Sequence, residues 1–528
     1  MPPHATARAA TTLSGLAVLS PVAGMAVEMA LAWRFGTSPA VDAFRIGALL
    51  LMFGQQLFVF QILPHTIVPV FAEYRAQGRD KEAWHVALSV AYLLAVPVAV
   101  VSLLVFLRPD LLIRLLAPGL SGEARATASL FIRWFLLAYA PLVWSGVAAG
   151  ILYAHKIYWL PAAAQSASNV LLVASILSVG RKLGATSLIL GVLLSAALGA
   201  FWHTGKLLPR MRQAGARFPW WPDAAHPGVR RTLKLALPLL GMVLIMQWAS
   251  VAVTRALSQL PSGNLALFGY TWKLGQLVSL LPLSLATVMF PKFADARFSA
   301  REGEFYAVAT QALRMALFIA IPLAVLFSAL RGPLVALFFE RGAFSAEASA
   351  TVSRLFGLLL LGAPAAAYME KMLYALEQTH IPMWTNLLTV ALLTMLSPFV
   401  AAHFGAEGLM ILAGPVVGWV GAITLFAVLC ARHQAFAGKS VVLFGAHILS
   451  LAVVSAWVAR HTGALLEQAG ASPVVSLALA TFGGLATGAA VFMAASLVRK
   501  VPEAVVCTRY VRWQGDALVR RVYGAGRG

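Results

Sequence analysis

Glu28, Asp42 and Arg45 are ionisable side chains set in or beside long apolar runs. An ionised group in such surroundings costs several kcal/mol, so these residues pair, line hydrated cavities or serve the movement of ions and polar cargo. Glu28 lies in the first apolar run. Arg34, Asp42 and Arg45 flank the turn that follows, in WRFGTSPAVDAFRIG. The two carboxylates, Asp42 and Glu28, are the candidates for gating or ion coupling. A blander reading has Asp42 capping the second helix and the arginines snorkelling to the interface. Gln55, Gln56, Gln61 and His65 recur at roughly helical spacing in the next run, as a hydrated face or as interhelical hydrogen-bonding groups. In the second half, Arg255, Asn264, Lys273 and Gln276 gather around NLALFGYTWKLGQL. Lys273 and Gln276 are three apart and share a helix face. Tyr270 and Trp272 beside them suit packing against neighbouring helices better than against a sugar. Glu370 and Lys371 are adjacent and can neutralise each other.

None of these groups forms a catalytic constellation. The sequence holds no HExxH, P-loop or GxSxG motif, and its eleven histidines lack metal-ligand spacing. Its two cysteines, Cys430 and Cys507, predict neither a disulfide framework nor a thiolate metal site. The expectation is a non-enzyme without cofactor or metal. The lack of a nucleotide-binding module argues against ATP-driven transport by this chain alone.

The elements that must position the polar groups are membrane helices. The chain of 528 residues is 60% hydrophobic and 11% charged, and apolar runs of about 20 residues recur along its length. We count about fourteen spans by that criterion. They begin near Thr11, Ile46, Val86, Thr127, Leu160, Ser187, Thr232, Leu265, Tyr306, Thr351, Met383, Leu409, Val441 and Val474. The runs are continuous rather than alternating, which disfavours strands. The net charge of +21 would suggest nucleic acid in a soluble protein. Here most Lys and Arg fall in loops on one side of the predicted spans, so the charge reads as the positive-inside signal and excludes a nucleic-acid partner. That signal places both termini in the cytoplasm, where the basic segments can attract anionic lipid.

The chain also repeats itself. Pro69, Pro97, Pro109, Pro141 and Pro161 have partners in Pro291, Pro322, Pro333, Pro364 and Pro382, displaced by 221–225 residues. Such a repeat marks a duplicated membrane unit. The spans divide into a six-helix lobe over 11–206, a basic cytoplasmic linker over 207–231 and a second six-helix lobe over 232–430. Two extra helices over 441–498 and a basic cytoplasmic tail over 499–528 follow. An even number of helices per lobe makes the repeats parallel. The linker sequence RFPWWPDAAHPG predicts that Trp220 and Trp221 sit at headgroup level. GVAAG (146–150) and GLATG (484–488) offer close helix approach.

Several passages carry a family resemblance: FGTSPAVDAF (35–44), VPVFAEYRAQG (68–78), LAPG (116–119), RGPLVALFFERGAFSAEA (331–348) and LYALEQTHIP (373–382). In these the chain resembles the MurJ/MviN family of lipid II flippases, within the multidrug/oligosaccharidyl-lipid/polysaccharide exporter superfamily. The resemblance implies two lobes around a cavity, a groove at the last two helices for a polyprenyl tail, and a polyprenyl-pyrophosphate-linked saccharide as cargo. It also implies a bacterial inner-membrane location. The family's first-helix arginines correspond here to Pro21 and Val27, and its paired second-helix arginines to Gln55 and Gln56. Its eighth-helix arginine and glutamate correspond to Lys273 and Gln276, while the acidic residue of the first turn is kept as Asp42. Lys does not replace Arg in bidentate phosphate binding.

The resulting expectation is a flippase in which Lys273, helped by Arg45 or Arg255, attracts the pyrophosphate. Gln55, Gln56, Gln276 and Asn264 complete the cavity, and Asp42 and Glu28 gate it or couple it to a monovalent ion or the membrane potential. Lipid II is the leading cargo. Another lipid-linked glycan for polysaccharide export, a small-molecule/cation antiporter and a non-transporting scaffold are the alternatives.

Overall fold

The computed structural model describes residues 3–120, 122–298, 302–360, 365–432, 436–468 and 472–509. Pro364, Arg301 and the tail beyond Arg509 lie outside them. So do the side chains of residues 1–18, Gln61, Leu281, 283–304, 365–367 and Arg432, including Pro291, Lys292 and Arg297. Every regular element among the described residues is helical. The longest apolar runs fold as helices because an isolated backbone in lipid must satisfy its own hydrogen bonds.

The first half runs α1 (Pro3–Phe35), α2 (Pro39–Gly54), α3 (Leu63–Ala76), α4 (Asp80–Leu107), α5 (Pro109–Leu116), α6 (Gly122–Leu136), α7 (Tyr139–Ala154), α8 (Trp159–Leu183) and α9 (Thr186–Gln213). After a linker come α10 (Pro227–Leu257), α11 (Asn264–Phe298), α12 (Glu302–Ala329), α13 (Arg331–Phe339), α14 (Ala346–Leu359), α15 (Ala365–Ala375) and α16 (His380–Ile411). The chain closes with α17 (Val417–Arg432), α18 (Gly438–Gln468), α19 (Pro473–Ala478) and α20 (Gly484–Val498). A π-helical stretch, Gln55–Gln61, joins α2 to α3.

Among the described residues nine helical segments are long and apolar enough to cross a membrane, or ten with the bent α6–α7 pair. One of the nine covers 52 residues, His380–Ala431, and is broken at Gly405, whose φ of 60° and ψ of −151° are not helical. At 1.5 Å per residue that length serves two crossings. Together with α1 and α11, 33 and 35 residues long, these segments make thirteen, and α14 with α15, over the run expected from Thr351, is consistent with a fourteenth.

The duplication is visible in the backbone. α4 and α12 each have 28 residues and carry Pro97 and Pro322 in their interiors, where each ring removes a helix hydrogen bond. Pro109 and Pro333 then open the short helices α5 and α13. Pro161 and Pro382 occupy the first turns of α8 and α16. Pro141 lies in the first turn of α7, where it breaks no hydrogen bond of that helix but sits beside the 43° bend between α6 and α7. The turns after α7 and α15 match in detail. Lys156 and Glu377 both have φ of 61°, and their amides bond Tyr153 O and Tyr374 O at 2.9 and 3.0 Å. Side chains seldom adopt this left-handed geometry, so its recurrence at one position of each repeat reflects common ancestry.

The chain forms two compact units. One comprises residues 1–273, 339–348 and 390–409; the other comprises 274–338, 349–389 and 410–528. In the first, α1 packs on α8, α8 on α9, α2 on α6 and α3 on α7. Gly146 of GVAAG meets the Phe58 backbone, and Gly150 lies 3.0 Å short of Ile67 Cβ at its Cβ position. In the second unit α18 packs on α12 and α20, with Gly484 and Gly488 of GLATG against Ala459 and Leu326. Small residues let backbones approach where lipid supplies no hydrophobic drive. Trp220 and Trp221 are 100% and 83% exposed, as an interfacial pair requires.

Candidate functional site

The predicted polar residues of the first unit form a ladder running inward from the turns 36–38 and 258–263. Its top rung is Asp42, which is only 4% exposed. Ser38, the residue before α2, caps nothing with its side chain. Asp42 does not cap α2 either. Its Oδ2 accepts from Gly263 N at 2.5 Å and Ser262 Oγ at 3.2 Å, and its Oδ1 accepts from Ala266 N at 2.9 Å. The carboxylate therefore holds the first turn of α11, where free amides and the helix dipole favour negative charge. Asn264 turns its amide back to Pro261 O at 2.7 Å.

A second contact closes the same end. Ala343 N donates to Trp33 O at 2.9 Å, and a side chain at Gly36 or Gly342 would collide with the Ala343 or Trp33 carbonyl. Gly119 of LAPG donates its amide to Ser258 Oγ at 3.2 Å, and a Cβ there would overlap the Ser258 carbonyl. A cavity of about 260 Å³ lies among these turns, lined by Asp42, Gly119, Glu123, Ser258 and Ser262.

One level inward, Arg45 pairs with Glu28. Nη1 donates to Oε1 at 2.9 Å and Nη2 to Oε2 at 2.5 Å. The side chains are 15% and 11% exposed, so this is a buried bidentate pair that neutralises both charges. The guanidinium also lies over the Tyr270 ring, 5.0 Å from its centre. Tyr270 is fully buried and donates to Gly36 O at 2.8 Å. Gly269 is required here, because a Cβ would overlap Arg45 Nε and Cζ.

One helical turn further in, Lys273 reaches α1. Its Nζ lies 3.0 Å from where a Gly24 Cβ would stand, and Asn169 Nδ2 lies 3.7 Å from the same point. Asn169 itself donates to Ser20 O at 3.3 Å. Gly24 and Glu28 are one turn apart on α1, as are Gly269 and Lys273 on α11, so the two helices meet rung by rung.

The other predicted residues fall elsewhere. Arg255 donates to the Arg114 and Leu115 carbonyls and so caps the end of α5. Gln55 and Gln56 are half-buried at the start of the π-helical stretch, which packs on α7. Gln56 Oε1 is buried with no described partner. Gln276 is exposed and belongs to the second compact unit.

Sequence reasoning missed the Glu28–Arg45 pair and the role of Tyr270. The pair was legible. In an antiparallel hairpin turning at 36–37, residues equidistant from the turn lie level, and 28 and 45 are equidistant. Tyr270 carried no such signal, because its partner Gly36 lies 234 residues away.

A helical membrane bundle, internally duplicated, with ionic rungs buried between its helices, defines a multi-pass transporter of the exporter type. The chain belongs to the MurJ family: the model described as "Lipid II flippase MurJ" matches residues 31–482. A probable lipid II flippase MurJ of Rhizobium meliloti (strain 1021) is 27% identical over 436 residues, 80% of each chain. A lipid II flippase MurJ of Burkholderia cenocepacia is 26% identical over 403 residues, covering 74% of this chain and 78% of that one. Among solved structures, a lipid II flippase MurJ in an inward closed conformation matches 92% of this chain and 98% of its own, with TM-score 0.76 and 18% identity. An inward-facing MATE family transporter of the MOP superfamily matches 82% of this chain with TM-score 0.63 and 17% identity. The fold is thus shared with that transporter as well.

Proposed function

We propose that this protein is a flippase of the bacterial inner membrane that carries lipid II from the inner to the outer leaflet for peptidoglycan synthesis. The observation that carries this reading is the family match over residues 31–482, which spans every rung of the ladder except Glu28 and Gly24. The cargo is a polyprenyl-pyrophosphate-linked saccharide, and the surrounding membrane lipids are its other partners.

The mechanism is alternating access by the lobes 11–206 and 232–430. The linker 207–231 and both termini lie in the cytoplasm, the helices of 441–498 flank the polyprenyl tail, and the tail 499–528 rests on the inner surface. Lys273 attracts the pyrophosphate as a point charge. Gln55, Gln56 and Gln276 supply hydrogen bonds to sugar or phosphate. Asp42 is the outer latch, since its bonds to Gly263 and Ala266 must break for the outer end to open. The neutral Glu28–Arg45 pair supports a gating role for both residues: Arg45 reaches cargo only after leaving Glu28. The carbonyl contacts of Arg255 favour a supporting role outside the cavity. A monovalent cation gradient or the membrane potential supplies the drive, with Glu28 and Asp42 as its acceptors.

The test is translocation of lipid II by the purified chain in proteoliposomes, together with rescue of cells depleted of their own lipid II flippase. Translocation that falls at least about tenfold in Lys273→Met supports the reading. Absence of both translocation and rescue by a folded, membrane-inserted chain overturns it.

A further inference from the structure

A separate cavity of about 340 Å³ lies wholly within the second compact unit. That volume falls in the range of small-molecule sites. Its floor is small and apolar: Ala329, Leu330, Pro333, Gly463 and Ala464. Its rim carries Arg331, Ser353, Arg460 and Glu467. Arg331 is anchored by an Nη1 bond to Ser328 O at 3.1 Å. Neither arginine and not Glu467 forms an ion pair with any described residue. Two cations and a carboxylate thus face one cavity without neutralising each other.

The cavity lies at one end of α12. Fifteen residues upstream, Arg314 pairs with Glu503 at 2.9 Å and ties down helix 502–509. The two features are separated by about 22 Å along the helix. In the orientation proposed above, helix 502–509 is at the inner face and the cavity opens at the outer interface.

We propose that this cavity binds the headgroup of an outer-leaflet phospholipid bearing a phosphodiester and a primary amine, as in phosphatidylethanolamine. Arg331 and Arg460 take the phosphate oxygens, for which the guanidinium fork is suited. Glu467 accepts from the ammonium. A phosphoglycerol headgroup has no amine for Glu467 and meets its repulsion, and a choline headgroup has no N–H to donate. The first acyl carbons rest on the floor of Leu330, Pro333 and Ala464. The site goes beyond the flippase reading and shares no residue with its ladder.

The test is equilibrium binding of dihexanoyl lipids to the full-length chain in detergent, where no transport is needed. Phosphatidylethanolamine is expected to bind about tenfold more tightly than the glycerol or choline lipid. Arg460→Gln should weaken it by about the same factor, and Glu467→Gln should erase its advantage over the glycerol lipid. Ser353→Trp, which fills the cavity, should abolish binding and keeps the test valid should an arginine variant misfold. Unchanged binding in Ser353→Trp, or an ethanolamine preference that survives Glu467→Gln, overturns the proposal. Equal affinity for soluble phosphoethanolamine overturns the lipid source in favour of a free amine-phosphate.

Discussion

Asp42→Asn tests the outer latch. The carboxylate receives three donors: Gly263 N and Ser262 Oγ on one oxygen and Ala266 N on the other. An asparagine has a single acceptor oxygen. In its better orientation it keeps Gly263 and Ser262 but turns an NH2 group toward the Ala266 amide. One charge-assisted bond is lost outright and the other two become neutral. Hydrogen bonds to charged groups contribute roughly 1.5–3 kcal/mol and neutral ones about 1, so loss of the Ala266 bond alone costs the closed outer end about 2–3 kcal/mol. The ratio of outer-open to outer-closed molecules should then rise by roughly 30- to 150-fold. The assay is a double electron–electron resonance distance between spin labels at Ala40→Cys and Gln259→Cys, in a chain whose Cys430 and Cys507 have been replaced by Ser. A long-distance population absent from the parent should appear in Asp42→Asn. Ser262→Ala removes only the 3.2 Å hydroxyl bond and should shift the ratio by several-fold at most. Identical distributions in parent and Asp42→Asn, with folding intact, would refute the latch.

Three further outcomes follow from the same geometry. Glu28→Met leaves a buried guanidinium unpaired and should destabilise the detergent-solubilised chain by about 3–5 kcal/mol, whereas Glu28→Met combined with Arg45→Met should cost far less than the two single changes added; additive thermal shifts would show that the pair is not coupled. Gly119→Ala drives a methyl into the Ser258 carbonyl and should lower stability by about 1–3 kcal/mol, while Gly215→Ala, where a Cβ meets nothing, loses less through its φ of 63°; equal melting temperatures for Gly119→Ala and parent would contradict the close approach. His155 follows the end of α7, bonded to Ile151 O at 2.9 Å and packed beside Phe71. Burial, aided by Arg75 and Arg210, pushes its pKa below the ordinary histidine value. The unfolded chain therefore binds a proton first, so stability is full above about pH 6.5 and falls as pH drops toward the lower folded value. His155→Phe should flatten that acid-side loss of melting temperature.

The sequence made the architecture legible because lipid permits so few backbones. Continuous apolar runs, paired prolines and basic loops each have one cheap explanation in a membrane, and the helices α4–α5 and α12–α13 follow the duplicated prolines closely. The site was less legible, for two reasons. Partner choice across distant helices leaves no local trace, so Tyr270 read as general packing, and Asp42 stayed open between a gating carboxylate and a cap on its own helix. Compensation also hides function. Arg45 and Glu28 each looked like an isolated charge awaiting cargo or an ion, yet each is the other's partner, and Arg255 is engaged by two carbonyls. A charge in an apolar run announces that it needs a partner, but not whether the partner is protein or cargo.

In the proposed mechanism the ladder also couples the latch to Lys273, the residue assigned to the cargo. Ala266, Gly269, Tyr270 and Lys273 all lie on the first turns of α11, and seven residues of helix from 266 to 273 span about 10.5 Å. Over so short a distance, and with no proline between them, a helix moves as a rigid body. Releasing Ala266 N from Asp42 therefore also draws Lys273 away from Gly24 and Asn169. The Glu28–Arg45 pair sits between these rungs and holds against Tyr270, so the same displacement strips the guanidinium of its aromatic face. In that mechanism, opening of the outer end weakens the grip of the cation on its surroundings at the step when a pyrophosphate must leave. Water-soluble thiol reagents on Lys273→Cys read this directly: reactivity should rise when Asp42→Asn is added. An unchanged rate beside an opened outer end would mean that α11 bends between the two rungs and that latch and cargo site move independently.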